Sequence, residues 1–287
     1  MNIRITSIPV IFLLFILASC NQNEEKHIEF ENDRLEQIEN HTNKVVLSSE
    51  VKWEKLNPVR GDDSPQAGTI RGNRNGTKPT GFLAKFADGF SSPPHIHNVT
   101  YRAVVIKGSI HNDDPNASTM WMKPGSFWTQ PIGESHITSA KGNENIALVE
   151  IDHGPYLVQP IEEAYDNGER PVNIDASNIV WLGSDKSTWI DSKSDVQLSF
   201  LWENKQSRSI FIKFPASYTG KLESNGSALH AVIIQGELNY DMPKQKQKIL
   251  DAGSYFSSID TAIHTISNVT QQDVLVYIRT NGNIKIY

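Results

Sequence analysis

The chain repeats itself at a fixed distance. Trp53 and Trp181, Gly108 and Gly236, Gly125 and Gly253, and His136 and His264 all stand 128 residues apart. The same offset lays Lys85-Phe86 on Lys213-Phe214, Ala103-Val104 on Ala231-Val232 and Gly125-Ser126 on Gly253-Ser254. One offset shared by turn and core positions means one structural unit written twice. From Val45 onward, short strand-like runs alternate with Gly, Pro, Asn and Asp clusters, and no long amphipathic helix appears. That pattern predicts an all-β chain of sandwiches or barrels. The expected layout is a first barrel over 45–156, a linker over 157–172 and a second barrel over 173–287. The linker, with Pro160, Gly168 and Pro171, reads as a strap across the barrel ends.

The chemistry sits in two segments of the first repeat. Pro93-Pro94-His95-Ile96-His97-Asn98-Val99-Thr100-Tyr101 runs through a hydrophobic stretch to Gly108. The prolines oppose a helix, and in an extended strand residues two apart share a face, so His95 and His97 aim at one spot. The second segment, Gly125 to His136, has a glycine turn, a β-prone run and a Pro131-Ile132-Gly133 turn that delivers His136. Three imidazoles from two strands make a metal site with positions left open for a ligand. Tyr101 has the parity of His95 and His97 and is expected to face the same cavity as a hydrogen-bond donor. Glu134, the nearest acid by sequence, is a candidate for catalysis or for ligating manganese. Trp121, Phe127 and Trp128 are candidates to line an apolar pocket.

These two segments resemble the paired motifs of the cupin superfamily. The first motif runs His-x-His, then Glu, then Gly; here His95, His97 and Gly108 match, and Tyr101 stands at the glutamate position. The second runs Gly, Pro-x-Gly, His, then Asn; here Gly125, Pro131, Gly133 and His136 match, and Ala140 replaces the asparagine. Together with the repeat, the chain resembles tandem-cupin (bicupin) bacterial lipoproteins. The resemblance implies two double-stranded β-helix (jelly-roll) barrels with a metal in a barrel mouth. A three-histidine set without the carboxylate is similar to the sites of cupin dioxygenases that cleave carbon–carbon bonds of diketones or ring diols.

The repeat also shows which barrel kept its site. At the 128-residue offset His95 becomes Glu223, His97 becomes Asn225 and Tyr101 becomes Leu229, while only His136 keeps its partner, His264. His230 is adjacent to Leu229 and so faces the other way. One divalent transition metal per chain is therefore expected, in the first barrel. Imidazoles suit Fe, Ni, Cu and Zn, with Mn if a carboxylate joins; the dioxygenase resemblance favours Fe.

The N-terminus bears on location. Residues 1–19 hold one charge, Arg4, and an apolar run from Ile8 to Leu17, too short to span a bilayer. Leu17-Ala18-Ser19-Cys20 resembles a bacterial lipoprotein cleavage box, so 1–19 is expected to be a signal peptide and 20–44 a polar tether with a short helix at most over Asp33–Ile38. Lipid on Cys20 would anchor the chain at the cell envelope, on the outer membrane or the periplasmic face. Palmitate labelling is expected in the native chain and absent from a Cys20→Ala variant; undiminished labelling would contradict this. Cys20 is the only cysteine, so no intrachain disulfide can form. Without residues 1–19 the chain has 26 basic and 33 acidic residues and no basic cluster, which disfavours nucleic acid. The expected partners are a small-molecule ligand and, through the lipid alone, a membrane; a homodimer stays open. Two functions compete: a metal-dependent dioxygenase on a small organic substrate, and a non-catalytic metal-dependent binding or sensing protein.

Overall fold

The computed structural model describes residues 44–242 and 246–287. The expected signal peptide, Cys20, the expected short helix over Asp33–Ile38 and all but the last residue of the expected tether lie outside them. Its regular elements are β-strands, covering about half of the described residues, and short 3-10 segments.

In the first barrel, a seven-stranded sheet is built on Tyr101–Asp113 and Ile137–Ile151, which pair antiparallel along most of their length. Thr80–Phe86 and Gln66–Arg71 extend it on one side. In the second barrel, the corresponding strands are each broken in two, so that a six-stranded and a five-stranded sheet face one another. Leu229–Gln235 and Glu237–Asp241 are the halves that match Tyr101–Asp113.

The corner between halves is where the repeated glycine is needed. Gly108 has φ +74° and Gly236 φ +80°, a region that side-chain-bearing residues rarely adopt. A Cβ on Gly108 would run into Asn145 and the Glu144 carbonyl oxygen. The strand can therefore bend there only as glycine.

Period-two alternation supplies both faces of each long strand. Tyr101, Ala103 and Val105 point into the first barrel's core with Phe82, Trp128 and Val149. Val104 and Ile106 point the other way, into a shared core with Phe127, Leu148, Phe211, Val232, Tyr255 and Tyr277. Strands buried on both faces read as continuous apolar runs, which is why Ala103–Ile106 shows no polar alternation.

The barrel boundaries differ from the expected ones in one respect: the two repeats exchange their leading strands. Lys44–Val46 pairs with Tyr255–Ser257 of the second barrel, and Val172–Ile174 pairs with Phe127–Thr129 of the first. Both partners of each pairing are 128 residues from their counterparts, so the exchange is reciprocal. Its anchors repeat as well. The Ser48 amide donates to Ser254 Oγ at 3.0 Å, and the Ala176 amide donates to Ser126 Oγ at 3.0 Å. A cut between 156 and 173 thus separates each barrel from one of its edge strands.

Candidate metal centre

The extended stretch from His95 is shorter than its sequence suggests. His95–His97 is a strand of its own, and a bend at Asn98–Thr100 separates it from Tyr101–Asp113. Its partner is the linker: His95–His97 pairs antiparallel with Val158–Pro160. On the other side His95 and His136 form an isolated bridge, each amide donating to the other's carbonyl at 3.1 and 3.0 Å. The Gly133 amide donates to the His97 carbonyl at 2.9 Å, which ties the Pro-x-Gly turn to the same strand. Gly133 has φ +74°, and a Cβ there would meet the Tyr165 ring of the strap at 2.7 Å. The motif glycine is thus required both by its backbone and by what covers it.

This scaffold brings the three predicted histidines together. Their ring centroids are 4.3 Å (His95–His136), 5.1 Å (His95–His97) and 5.2 Å (His97–His136) apart. One ligand nitrogen from each lies within 4.8 Å of the others. Backbone carbonyls choose which nitrogen that is. Each Nδ1 faces one: Pro93 at 2.9 Å for His95, Leu157 at 2.9 Å for His97 and Glu134 at 3.2 Å for His136. A carbonyl can only accept, so each Nδ1 carries the proton and each Nε2 presents a lone pair. This is the outer-shell pattern that fixes imidazole tautomers for metal ligation.

Protons compete weakly for these nitrogens. Burial pushes the His97 imidazole down to about 3, with His95 adding to the effect and the Leu157 carbonyl opposing it. His136 lies well below its ordinary value, through burial and then its two histidine neighbours. His95, partly exposed, is lowered by burial as well. The donor set is neutral at pH 7, and it suits a divalent transition metal.

Two phenols flank the cluster. Tyr101 lies in the cavity as expected, its hydroxyl 3.4 Å from His136 Nε2. Its proton, however, goes to Asn112 Oδ1 at 2.9 Å, so the expected role as donor to a bound ligand passes elsewhere. Thr138 Oγ1 donates to the same Asn112 oxygen, Asn112 Nδ2 donates to Gln130, and Gln130 Nε2 donates to the Glu134 carbonyl. The chain of bonds ends on the carbonyl that orients His136. Tyr156 is the second phenol. Its ring stacks on His97 at 4.4 Å, and its hydroxyl is 3.2 Å from His97 Nε2. Asn98 clamps the backbone on both sides of it, donating to the Pro155 carbonyl and accepting from the Leu157 amide. Burial raises both phenols.

Glu134 is placed differently from its expected role. Its carbonyl serves His136, while its carboxylate is outside the histidine group and outside the cavity lining. Of the three candidate aromatics, Trp128 lines the cavity. Phe127 faces the inter-barrel core, and Trp121 packs beside His111 and Lys141. The cavity measures about 340 Å³, within the range of small-molecule sites. Its walls are apolar and no carboxylate lines it. The buried Trp128 indole N–H approaches the Tyr101 hydroxyl, which ties the two cavity walls together.

The second barrel has no comparable set among the described residues. His264 is buried with both nitrogens engaged, Nδ1 by Tyr240 at 2.6 Å and Nε2 by Ser258 at 2.9 Å. Tyr240, Phe256, Leu222 and Leu229 fill the interior. His230 points away from the second barrel's interior, as its parity requires, into the seam between the barrels, with Nδ1 2.8 Å from the Tyr255 hydroxyl.

Two repeated antiparallel barrels with a three-histidine centre in the mouth of one define a bicupin fold. Residues 44–287 match the model of a domain of unknown function, DUF4437, and the chain belongs to that family. No curated protein matches the sequence. Solved structures share the fold. A protein from Nostoc punctiforme with a provisional dioxygenase assignment has a TM-score of 0.65 at 11% identity, covering 84% of this chain and 83% of its own. Oxalate decarboxylase from Lactobacillus farciminis has a TM-score of 0.58 at 9% identity, covering 86% and 89%. Salicylate 1,2-dioxygenase from Pseudoaminobacter salicylatoxidans has a TM-score of 0.55 at 10% identity, covering 95% and 96%.

Proposed function

We propose that the chain is a metal-dependent dioxygenase acting on a small organic substrate in the first barrel. The observation that supports this most is the convergence of three neutral Nε2 donors, two of them (His95 and His97) on the wall of an apolar cavity that no carboxylate lines. His95, His97 and His136 would hold the metal, and we propose ferrous iron. When bound, it supplies the one-electron chemistry that dioxygen requires. Incorporating both oxygen atoms into the substrate needs no separate reductant, and none of the residues here would have to provide one. The Asp- and Glu-free lining offers no acid–base pair of the kind hydrolysis uses. Neutral ligands leave a dication uncompensated, which favours an enolate or diolate oxygen as the substrate's binding group.

The surrounding side chains then have separate tasks. Phe82, Val149 and Trp128 exclude water from the chamber. Tyr156 donates its hydroxyl proton to an anionic substrate oxygen, because no other acceptor takes it in the described structure besides His97 Nε2. Tyr101, its proton held by Asn112, keeps the network that orients His136 in register.

Tyr156→Phe should retain metal, since the ring still stacks on His97, yet slow turnover roughly 10- to 100-fold, the range for a hydrogen bond to a charged group. Metal analysis beside steady-state kinetics checks both halves. The activity itself is tested in an oxygen electrode with iron-loaded protein and a panel of 1,3-diketones and catechols. Substrate-dependent uptake is expected. No uptake across the panel from fully loaded protein would favour a binding role instead.

A further inference from the structure

The cavity has a single charged side chain on its lining, Arg60, and it stands at the mouth. Phe82, Ala147 and Trp128 are buried, whereas Arg60 is exposed, so the arginine marks the rim and the buried His97 and Tyr101 the interior. The loop that bears it is built rather than loose. Its base is closed by the Leu56 amide donating to the Pro65 carbonyl at 2.8 Å and by the Asn57 amide donating to Ser64 Oγ at 3.0 Å. Asn57 Oδ1 accepts from the Val59 amide, and Gly61, at φ +59°, supplies the turn.

Two interactions set the charge of this loop. Lys55 Nζ pairs with Asp62 at 3.0 Å, which occupies one nearby carboxylate. Arg60 has no ion pair among the described residues; its guanidinium instead lies 5.1 Å from the centre of the Phe90 ring, itself a cavity wall. A cation resting on an aromatic wall at a pocket mouth keeps its in-plane N–H donors available to an anion.

We propose that this cavity selects anionic amphiphiles, with an apolar aromatic or alkyl body among Phe82, Phe86, Phe90 and Trp128 and an anionic end group held by Arg60. This rests on the reading of the cavity as the substrate chamber and narrows the substrate class: the metal-facing oxygens sit inside, and a second, anionic group sits at the rim. The chemistry fits a carboxylate, and a sulfonate or phosphate monoester shares it. Because Arg60 is exposed, the selectivity is modest, about fivefold at low salt, and it is screened as salt rises.

The test is calorimetric titration of the full chain with 2-naphthoate and with its neutral isostere 2-naphthamide, in the metal-loaded and the chelator-stripped states. The native chain should bind the carboxylate about fivefold more tightly than the amide in both states, and the gap should close in 0.5 M salt, on the order of 4 Å of Debye length. Arg60→Gln should erase the gap while leaving amide affinity unchanged; the residue is exposed, so folding is spared. Equal affinities in the native chain, binding of neither probe, or a gap that survives Arg60→Gln would each overturn the proposal. So would a preference seen only with metal bound, because the anion would then be held by the metal. The dioxygenase reading fails separately: stripped protein that keeps the preference, beside iron-loaded protein that consumes no oxygen, would refute that reading and leave this one standing.

Discussion

His97→Ala is expected to lower metal affinity by well over roughly 100-fold, since even loss of a supporting group beyond the ligands costs about 10- to 100-fold. The substitution removes one of three Nε2 donors and also the ring on which Tyr156 stacks. Two imidazoles then have to compete with water for a hydrated ion. The variant should still fold, because His97 lies on a three-residue strand at the barrel mouth rather than in the main sheet. Its counterpart test is His264→Ala. That change removes the imidazole that the Tyr240 and Ser258 hydroxyls meet and opens a gap in a buried core, so it should cost about 2–4 kcal/mol of stability, yet leave metal content unchanged. Metal analysis of the two variants side by side separates a ligand from a packing residue. Retention of metal in His97→Ala, or its loss from folded His264→Ala, would reassign the site.

The second large effect lies at the seam between the barrels. Glu150 is buried, and its oxygens meet Arg71 Nη2 at 2.7 Å and the Tyr277 hydroxyl at 2.7 Å, with Arg279 Nη1 at 3.9 Å. Asp152 takes Arg279 Nη2 at 2.6 Å and Arg102 Nη1 at 3.0 Å. Arg71, Glu150 and Asp152 belong to the first barrel, while Tyr277 and Arg279 belong to the second, so this network joins them. Glu150→Gln leaves Arg71 buried without a carboxylate. The expected loss is about 3–5 kcal/mol, or roughly 10 °C in Tm for a chain of this size.

The pH dependence of that loss has a definite sign. Burial alone would raise the Glu150 carboxyl, but Arg71 and Arg279 outweigh it and hold the group below its ordinary value. A carboxyl depressed in the folded state stabilises above its unfolded pKa and loses that contribution as pH falls through the folded one. Native and Glu150→Gln proteins should therefore differ fully at neutral pH, and their denaturation midpoints should converge in acid. A gap that widened in acid would contradict the assignment.

What could be read from the residues alone follows from the range of the forces involved. The fold was legible because its markers are local: glycines where the backbone needs positive φ, at Gly108 and Gly236, and apolar runs buried on both faces. The histidine trio was legible because His95 and His97 share a strand face and Pro131 to Gly133 fixes the delivery of His136. The strand exchange was not, since Lys44–Val46 finds its partner more than two hundred residues away and nothing in three residues encodes that choice.

Tyr156 escaped for the same reason. It reaches His97 across 59 residues, through an Asn98 clamp that only the folded chain reveals. Glu134 misled in a more instructive way. The position was right, but the group that matters is its carbonyl, and backbone roles leave no signature in residue type. Tyr101 reached the cavity across an unforeseen bend, and its proton went to Asn112, a partner eleven residues along the same strand.

The most direct test of the central claim is elemental analysis of the full chain purified under reducing, anaerobic conditions after growth with iron. The account predicts close to one iron per chain in native protein and close to none in His97→Ala. Native protein without transition metal, or with two equivalents per chain, would contradict it.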